Sequence, residues 1–231
     1  MRLTNFFLLS LLIGCSLTED DPDPFREFNK DMLELNLILD ENLLKPLAEA
    51  YEDAPGVARE SVSNILSNLK EPFYCLNHLS VLDAENAASS LFRFVINSTL
   101  GAGGIFDIGS LLGLERNEVS YKDTLRKMCV PTGDYLILPI LGSSSTRDVI
   151  AEPISWFADP ISYVIGFPWM FAKSVLGIIV DRSENAGFIN NSVQNSINLY
   201  STVKSVYTQK YGDREEGDEF PEEDFSNFDN I

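Results

Sequence analysis

The chain contains 231 residues, with 17 lysines and arginines against 35 aspartates and glutamates, which gives a formal net charge of −18. A protein this acidic will not bind nucleic acid by releasing counterions from the phosphate backbone, so a nucleic-acid partner is excluded. The same charge repels anionic lipid headgroups at long range, so any attraction to phospholipid must come from the acyl chains.

Residues 1–14 have the features of a signal peptide. Arg2 supplies a positive charge, and an apolar run over residues 6–13 follows it. This run is shorter than the roughly 20 apolar residues that cross a bilayer, and its length is typical of a secretion signal. The run ends in Leu-Ile-Gly-Cys, which matches a lipobox and predicts cleavage before Cys15 and acylation of its thiol. The alternatives are an ordinary secretory signal and an N-terminal helix that happens to contain a cysteine.

The mature chain divides into three regions by composition. Residues 15–22 form a lipidated tether, and residues 23–211 are long enough for one domain with its own core. Residues 212–231 form an acidic tail that we predict to be disordered, and that either docks on a basic partner or only increases solubility. Ser16 stands where an aspartate would retain a lipoprotein on the inner membrane, so we expect a lipid-anchored protein on the periplasmic face of the outer membrane.

Apolar side chains at three- and four-residue spacing predict a mainly α-helical domain. Asp23 and Pro24 suit the cap and first turn of an amphipathic helix over residues 25–44. Further stripes predict a helix that Pro72 stops, a helix that ends near Gly101, and a helix close to the C-terminus. The stripe residues are Phe25, Phe28, Met32, Leu35, Leu39 and Leu43, then Ala58, Val62, Ile65, Leu66 and Leu69, then Ala87, Ala88, Leu91, Phe92, Val95 and Ile96, then Val193, Ile197, Tyr200, Val203 and Tyr207.

Residues 161–180 are apolar over nearly the length of a membrane span, but glycine, proline and lysine interrupt them. A single span after a lipid anchor would place the acidic tail across a second boundary. We therefore favour an interfacial or re-entrant pair of helices, with Tyr163, Phe167 and Trp169 at the level of the headgroups. The alternative is a buried helix in an ordinary globular core.

The sequence contains no recognisable catalytic constellation, metal site or cofactor site. His78 is the only histidine, and a lone histidine is more often a packing residue than a catalyst or a ligand. No Cys/His cluster has metal spacing, and no nucleophile elbow or phosphate-binding loop is present. Cys75 and Cys129 either form a disulfide, which an oxidising periplasm permits, or remain two free thiols.

Several ordered strings along residues 23–210 resemble the MlaA (VacJ) family of outer-membrane lipoproteins. Asp-Pro-x-x-x-Phe-Asn stands at residues 23–29, and Asn-Leu-x-Glu-Pro stands at residues 68–72. The most specific string consists of Arg93, Phe94, Asn97, Ser98, Gly101, Gly103, Gly104 and Asp107. Shorter matches are Gly133, Tyr135, Leu138, Pro139, residues 141–144, Arg147, Asp148, Asp159 and Pro160.

The resemblance is weakest between residues 121 and 134. Where the family usually has Phe-Gly-x-Thr-Leu-Gly-x-x-Gly, the chain replaces the three glycines with Lys122, Arg126 and Cys129. Family members also tend to have a proline at the position of Asp134. These replacements put the geometry of the loop, and any partner contact made there, in doubt.

The resemblance implies a single-domain helical ring of amphipathic and interfacial helices around an amphipathic channel, lying in the inner leaflet of the outer membrane. It implies removal of phospholipids that are mislocalised in the outer leaflet, delivery to a soluble periplasmic lipid-binding carrier, and work beside a trimeric porin. It implies no covalent chemistry and no cofactor.

Within such a ring, polar residues would line a path for headgroups. Our candidates for this path are Asn36, Gly101, Gly103 and Gly104, although each glycine could equally serve a structural turn. The alternative function is a lipoprotein scaffold that binds a porin or another envelope protein without moving lipid.

Overall fold

A computed structural model describes residues 23–212, and the signal peptide, the tether and all of the acidic tail after residue 212 lie outside this description. Its elements are α1 (Arg26–Leu39), a π-helical segment (Asp40–Leu44), α2 (Lys45–Glu52), α3 (Gly56–Ser80), α4 (Ala84–Thr99), α5 (Ile108–Leu111), α6 (Tyr121–Lys127), β1 (Tyr135–Leu138), β2 (Gly142–Ser145), α7 (Thr146–Ala158), α8 (Pro160–Glu184), α9 (Ala186–Asn195) and α10 (Leu199–Tyr211). The prediction of a mainly α-helical domain is confirmed.

The first helix begins later than predicted. Phe25 precedes its first residue and no side chain caps it, so the assignment of Asp23 as the cap is wrong. The carboxylate of Asp23 instead accepts a hydrogen bond of 2.8 Å from the hydroxyl of Tyr200 and lies 3.0 Å from the ammonium of Lys204. Because both partners belong to α10, Asp23 joins the two ends of the domain rather than serving one helix locally.

Helices α3 and α4 form an antiparallel hairpin, and this pair is the most extensively packed in the structure. The prediction that Pro72 stops α3 is wrong, since the helix continues to Ser80. A proline inside a helix costs about 3 kcal/mol, and the packing of α3 along α4, with Glu71 and Tyr74 buried beside the proline, offsets this cost. Helix α4 ends at Thr99, before the glycines, as predicted.

A short antiparallel hairpin accompanies the helices of this mainly α-helical domain, and the sequence analysis did not predict it. Strands β1 and β2 pair with Tyr135 opposite Ser145. The hairpin contributes to a core that packs against α1 and α10, where the buried side chains are Leu33, Tyr135, Ile137, Tyr200, Tyr207 and Tyr211. Tyrosines dominate this core, so its hydroxyl groups need hydrogen-bond partners that a core of leucines would not need.

The helices near the C-terminus are interrupted twice. Gly166 has φ 74° and ψ 163° inside α8, so this element is two helical pieces joined at a kink, as the predicted pair of helices requires. The stripe predicted over residues 193–207 is not one helix, because α9 ends at Asn195 and the side chain of Asn198 caps α10 by accepting from the backbone of Ser201. Because the apolar side chains keep the same spacing across this break, the sequence pattern did not reveal it.

Candidate lipid-handling site

A buried ion cluster around Arg93 holds α3, α4 and α5 together. The guanidinium donates through Nε to Glu71 at 2.6 Å and through Nη2 to Asp107 at 2.9 Å. Its Nη1 donates to the hydroxyl of Ser110 at 3.1 Å and to the carbonyl of Leu114 at 2.5 Å. Since all three nitrogens have protein acceptors, this charge is satisfied although its side chain is fully buried.

The cluster is close to electrically neutral, which allows it to be buried. Arg116 lies 3.1 Å from Asp107, so two guanidinium groups face the carboxylates of Glu71 and Asp107. Burial raises the pKa of Asp107, but hydrogen bonds from Ser110, Arg93 and Asn97 outweigh burial and hold that pKa well below its ordinary value. Burial also raises the pKa of Glu71, against the opposing effect of Arg93.

Three of our lipid-path candidates form the turn that delivers Asp107 to this cluster. A Cβ atom on Gly101 would lie 2.3 Å from the carbonyl oxygen of Phe106, and one on Gly104 would lie 2.8 Å from Cβ of Asn68. Gly103 and Gly104 have φ angles of 78° and 96°, and nothing lies within 4 Å of a Cβ on Gly103. These glycines therefore serve a tight turn, and their role in a lipid path remains a prediction.

Asn36, the fourth lipid-path candidate, contacts the β-hairpin. Its Nδ2 donates to the carbonyl of Leu138 at 2.9 Å, and its Oδ1 accepts from the backbone of Ile140 at 2.8 Å. Asn29, two helical turns earlier, makes the same pair of bonds to Tyr135 at 2.9 Å and Ile137 at 2.8 Å. The two amides satisfy the outer edge of β1 in place of a third strand, so Asn36 has a structural task whether or not it also meets lipid.

A second buried cluster fixes the end of α10. Arg147 pairs with Asp148 at 2.9 Å, and the hydroxyl of Tyr207 donates to Asp148. Burial and then the charge of Asp148 raise the pKa of Tyr207. The carbonyl of Tyr211 accepts from the hydroxyl of Thr132 at 3.0 Å, so the last helical residue is held where the tail leaves the domain.

Within residues 23–212, about as many polar as apolar residues are buried, and many large apolar side chains are exposed. Of the seven largest fully buried side chains within residues 23–212, only Ile137 is apolar, and the others are Arg93, Glu71, Asn29, Asp148, Ser90 and Ser145. On α4 the polar side chains point inward, while Leu91, Phe92 and Val95 are exposed. Exposed apolar surface of this extent marks a partner or membrane interface, and polar groups satisfied internally suit a body surrounded by hydrocarbon.

The membrane-interface candidates lie on either side of the kink in α8. Tyr163 and Trp169 are each 71% exposed, and their position at the headgroups stays a prediction. The side chain of Phe167 lies outside the described residues. Lys173, which interrupts the apolar sequence, pairs with Asp159 at 2.8 Å. No helix within residues 23–212 combines the length and the apolar character that a membrane crossing requires.

A polar cleft of about 560 Å³ opens between the end of α2, the start of α3 and the end of α8. Its walls carry Tyr51, Glu52, Gly56, Arg59, Glu60, Ser63, Asn64, Ser183 and Glu184. Ser63 donates to Glu184 at 3.1 Å, and Asn64 donates to the carbonyl of Ile105 at 3.4 Å. Ile105 follows Gly104, so one wall of this cleft adjoins the glycine turn.

The two cysteines and the histidine singled out in the sequence, Cys75, Cys129 and His78, have ordinary structural environments. Cys75 is half-buried, Cys129 is exposed, and both are free thiols in the structure, which is the second of the two alternatives. His78 is buried, with Nε2 3.1 Å from the carbonyl of Asn117 and Nδ1 3.3 Å from Asp83. Within residues 23–212, no group of three or more histidine, cysteine, aspartate or glutamate side chains could hold a metal ion. Cys15 lies outside the described residues.

The sequence reasoning missed the ion cluster and the polar cleft. The helical spacing of Ser90, Arg93 and Asn97 was a signal that α4 has a polar stripe opposite its apolar one. We identified only the apolar stripe and assigned no inward face to it. For the cleft no such signal existed, because residues 51–64 meet residues 183–184, more than a hundred positions later in the chain.

Comparison with known proteins places this arrangement in a family. The family model described as MlaA lipoprotein matches residues 21–214. The intermembrane phospholipid transport system lipoprotein MlaA of Escherichia coli K12 is 29% identical over 211 residues, which cover 87% of this chain and 83% of that protein. An uncharacterized protein of Rickettsia typhi is 31% identical over 202 residues, which cover 87% of this chain and 79% of that protein.

A solved structure shows that the likeness extends to the fold. That structure comes from work on the structural basis for maintenance of bacterial outer membrane lipid asymmetry. It superimposes with a TM-score of 0.73 at 31% identity, over 83% of this chain and 98% of that chain. Since the family model matches well over half of the sequence, the chain belongs to the MlaA lipoprotein family.

Proposed function

We propose that this chain is an outer-membrane lipoprotein that removes phospholipids mislocalised in the outer leaflet and passes them to a soluble periplasmic lipid-binding carrier. The observation that carries this proposal is the orientation of α4, which exposes its apolar face and buries the paired charges of its polar face. Apolar helices would lie among acyl chains, and headgroups would cross along polar surface. Membership in the family, and the phospholipid-transport names of its relatives, support the same function.

Anchoring and partners follow from the same proposal. Acyl chains on Cys15 would hold the domain on the periplasmic face of the outer membrane, because two or three chains anchor stably where one does not. A trimeric porin would stand beside the domain in the membrane. The transfer itself forms and breaks no covalent bond, so the protein would act as a carrier rather than as an enzyme.

The test places a photo-crosslinking residue at Asn64 in the polar cleft, or at Trp169 on the exterior, in cells fed labelled phosphate. The protein is purified in mild detergent, and crosslinked phospholipid is measured at each position. We expect label at both positions, since lipid would surround the exterior and pass through the interior. Label at Trp169 alone would mean that the protein is embedded in a membrane without carrying lipid, which is the scaffold alternative.

A second experiment tests function by complementation, in a bacterium that lacks its own member of the family. The full-length chain should restore a low phospholipid content in the outer leaflet, measured with a headgroup reagent that does not cross the membrane. A Cys15→Ala variant should not restore it, because the domain would lose its anchor. Restoration by the unanchored variant at equal abundance would contradict the proposed lipoprotein.

A further inference from the structure

Helix α10 carries positive charge in a domain that is negative overall. Residues 198–211 contain two lysines and no aspartate or glutamate, whereas residues 23–211 contain 15 lysines and arginines against 23 aspartates and glutamates. The buried face of the helix carries Tyr200, Val203, Tyr207 and Tyr211, and its opposite flank is polar and largely exposed. A negatively charged segment would therefore meet attraction along this flank and net repulsion from the domain as a whole.

A groove runs along the exposed flank of α10 to the start of α1, and we call it the α10 groove. Its volume is about 390 Å³, and its lining includes Arg26, Lys204, Ser201, Ser205, Thr208 and Gln209. Arg26 is exposed and forms no ion pair within residues 23–212. Lys204 lies 3.0 Å from Asp23, which is the one carboxylate in the lining, so the groove has a formal charge of +1. The serine hydroxyls can donate hydrogen bonds to further carboxylates.

The acidic tail leaves the domain at one end of this groove. Gly212 follows α10 with φ −61° and ψ 167°, and its N–H donates to the carbonyl of Thr208 at 2.9 Å. A Cβ on Gly212 would lie 2.4 Å from that carbonyl oxygen, so the glycine packs directly against a residue that lines the groove. The tail therefore starts beside the α10 groove.

We propose that the first part of the acidic tail, residues 213–219, lies in the α10 groove with its carboxylates on Arg26 and Lys204. Five of these seven residues are acidic, namely Asp213, Glu215, Glu216, Asp218 and Glu219. Thr208 and Ser201 are about 10 Å apart along the helix, and seven extended residues span about 23 Å, so the segment is long enough to reach both cations.

Covalent attachment makes weak contacts sufficient for this docking. A segment on a short flexible connection has an effective concentration of about a millimolar, so ion pairs that would not hold a free peptide can hold the tail. The basic partner of the tail is then the domain itself, and an anionic ligand could enter the α10 groove only when the tail leaves it. This inference does not depend on lipid transport.

The test uses the full-length lipoprotein in phosphatidylcholine nanodiscs at low ionic strength, with a photo-crosslinking residue in place of Ser205. Met128 is the matched position, because it is exposed and closely follows Arg126, which donates to the end of α10. Mass spectrometry measures crosslinks to residues 213–219. We expect at least about fivefold more from Ser205 than from Met128, and loss of this preference in about 1 M salt, where the Debye length is about 3 Å.

Charge variants of the groove test its side of the contact. Arg26→Gln should lower crosslinking from Ser205 about threefold, as expected for the loss of an exposed ion pair, and Arg26→Lys should retain most of it. Lys45→Gln removes the same charge on α2, away from the groove, and should change nothing. Melting temperature in detergent identifies any variant that has lost its fold.

Two tail variants with equal loss of charge test the other side. The first neutralises the part proposed to dock, with Glu215→Gln, Glu216→Gln, Asp218→Asn and Glu219→Gln, and should abolish the preference for Ser205. The second neutralises four carboxylates farther along, with Glu222→Gln, Glu223→Gln, Asp224→Asn and Asp229→Asn, and should keep most of the preference. An equal effect of the two variants would contradict docking of residues 213–219.

A second measurement needs no crosslinker. Phenylglyoxal modifies accessible guanidinium groups, and mass spectrometry gives the rate at each arginine. Deleting residues 213–231 should speed the modification of Arg26 about threefold, because the ion pairs that cover it are lost. The rate at Arg59, which lies in the polar cleft, should stay the same. An unchanged rate at Arg26 would mean that the tail does not cover it.

The other results of the crosslinking experiment would overturn the inference and identify a different occupant. Equal crosslinking from Ser205 and Met128, or none from folded protein, would mean that the tail does not bind in the groove. Crosslinks from Ser205 to residues 16–22 instead would make the tether the occupant, and crosslinks to phospholipid would make the groove a lipid site. Because none of these measurements involves transport, they leave the proposed function to its own tests.

Discussion

Glu71 and Arg93 illustrate at the scale of single residues what burial of charge requires. Both side chains are almost completely inaccessible and lie 2.6 Å apart. Replacing Glu71 with alanine leaves Asp107 as the one carboxylate paired with the guanidinium of Arg93, removes the acceptor of its Nε and opens a cavity. Breaking a buried ion pair by removing one partner costs about 3–5 kcal/mol, so we expect Glu71→Ala to lower the free energy of unfolding by that amount, measured by denaturation in mild detergent.

Glu71→Gln is the informative companion to this variant. Glutamine keeps the shape of the side chain and an acceptor for Nε of Arg93 but carries no charge. The free energy of unfolding should therefore fall less in Glu71→Gln than in Glu71→Ala. Glu85→Gln, at an exposed position on the same hairpin, should stay within about 0.5 kcal/mol of the natural protein. Equal stability of the alanine variant and the natural protein would mean that the cluster does not hold α3 and α4 together.

Asp107 gives the cluster a defined dependence on pH. Its pKa in the folded protein lies well below that of an unfolded aspartate, because hydrogen bonds to the carboxylate outweigh its burial. A depressed pKa contributes stability that is complete above the unfolded pKa of about 3.9 and is lost as the pH falls toward the folded value. We therefore expect the melting temperature to fall below about pH 4, and to fall less steeply in Asp107→Asn. If melting temperature fell with pH equally steeply in the natural protein and in Asp107→Asn, Asp107 would not be the source of this pH dependence.

The residues of this cluster were visible in the sequence, but their association was not. Arg93 and Asn97 stand one helical turn apart, which places them on one face of α4. Which face points inward depends on the solvent around the helix, and the sequence pattern is the same in water and in lipid. The partners Glu71 and Asp107 come from other segments, so only the packing of α3 and the glycine turn brings them to Arg93.

At the scale of elements, the glycine turn after α4 allows a graded test. Gly104→Ala adds a Cβ at 2.8 Å from Asn68 and forces a side chain to a φ of 96°. A Cβ on residue 103 would have no neighbour within 4 Å, so Gly103→Ala should lower the free energy of unfolding only through its φ of 78°, by about 1–2 kcal/mol. We expect the free energy of unfolding to fall in both variants, and to fall further in Gly104→Ala, measured in the same detergent.

Gly187→Ala is the control for the turn. Nothing lies within 4 Å of a Cβ there and the residue is in α9, so alanine should be neutral or stabilising by up to about 1 kcal/mol. Transport in cells separates structure from function among these variants. If Gly103→Ala loses transport while keeping most of its stability, the glycine belongs to the lipid path. If transport follows stability in all three variants, the turn is structural only.

Elements with a strong local signal were predicted from sequence, and elements that depend on distant contacts were not. Helix α4 has a continuous stripe and glycines at its end, so its existence and its C-terminal end followed from the chain alone, while its cap Asp83 was not predicted. The passage of α3 through Pro72 depends on packing against α4. The β-hairpin depends on Asn29 and Asn36, about a hundred residues earlier, for the bonds along its outer edge.

Two of the residues that stand where the family usually has glycine, Lys122 and Arg126, contact α10. Helix α6 is regular, with a capping box formed by Ser120 and Asp123. Lys122 lies 5.5 Å from the ring centre of Tyr207, and Arg126 donates to the carbonyls of Gln209 and Lys210 at the end of α10. Cations near a helix C-terminus interact favourably with its dipole. Lys122 and Arg126, which depart from the family pattern, therefore attach α6 to α10.

At the scale of the whole molecule, helical periodicity predicted where amphipathic helices occur but not what surrounds them. Net charge and mean composition are those of a soluble acidic protein, while the exposed face of α4 is as apolar as a core. Such a surface in water would favour aggregation. The domain avoids this only if hydrocarbon or another protein covers the surface, and the two tryptophans can distinguish these environments.

The chain has two tryptophans, Trp156 in α7 and Trp169 in α8, and both are exposed. Trp156→Phe and Trp169→Phe therefore each leave a single reporter on the apolar exterior. In vesicles whose acyl chains carry bromine close to the headgroups, we expect strong quenching of Trp156 and Trp169 and less quenching by water-soluble acrylamide than in detergent-free buffer, because Trp156 would lie among the chains and Trp169 at the level of the headgroups. Vesicles of the same lipid without bromine provide the control for changes in the protein itself. Quenching by acrylamide but not by bromine would place these helices outside the hydrocarbon, and the exposed apolar side chains would then have to serve a protein interface instead.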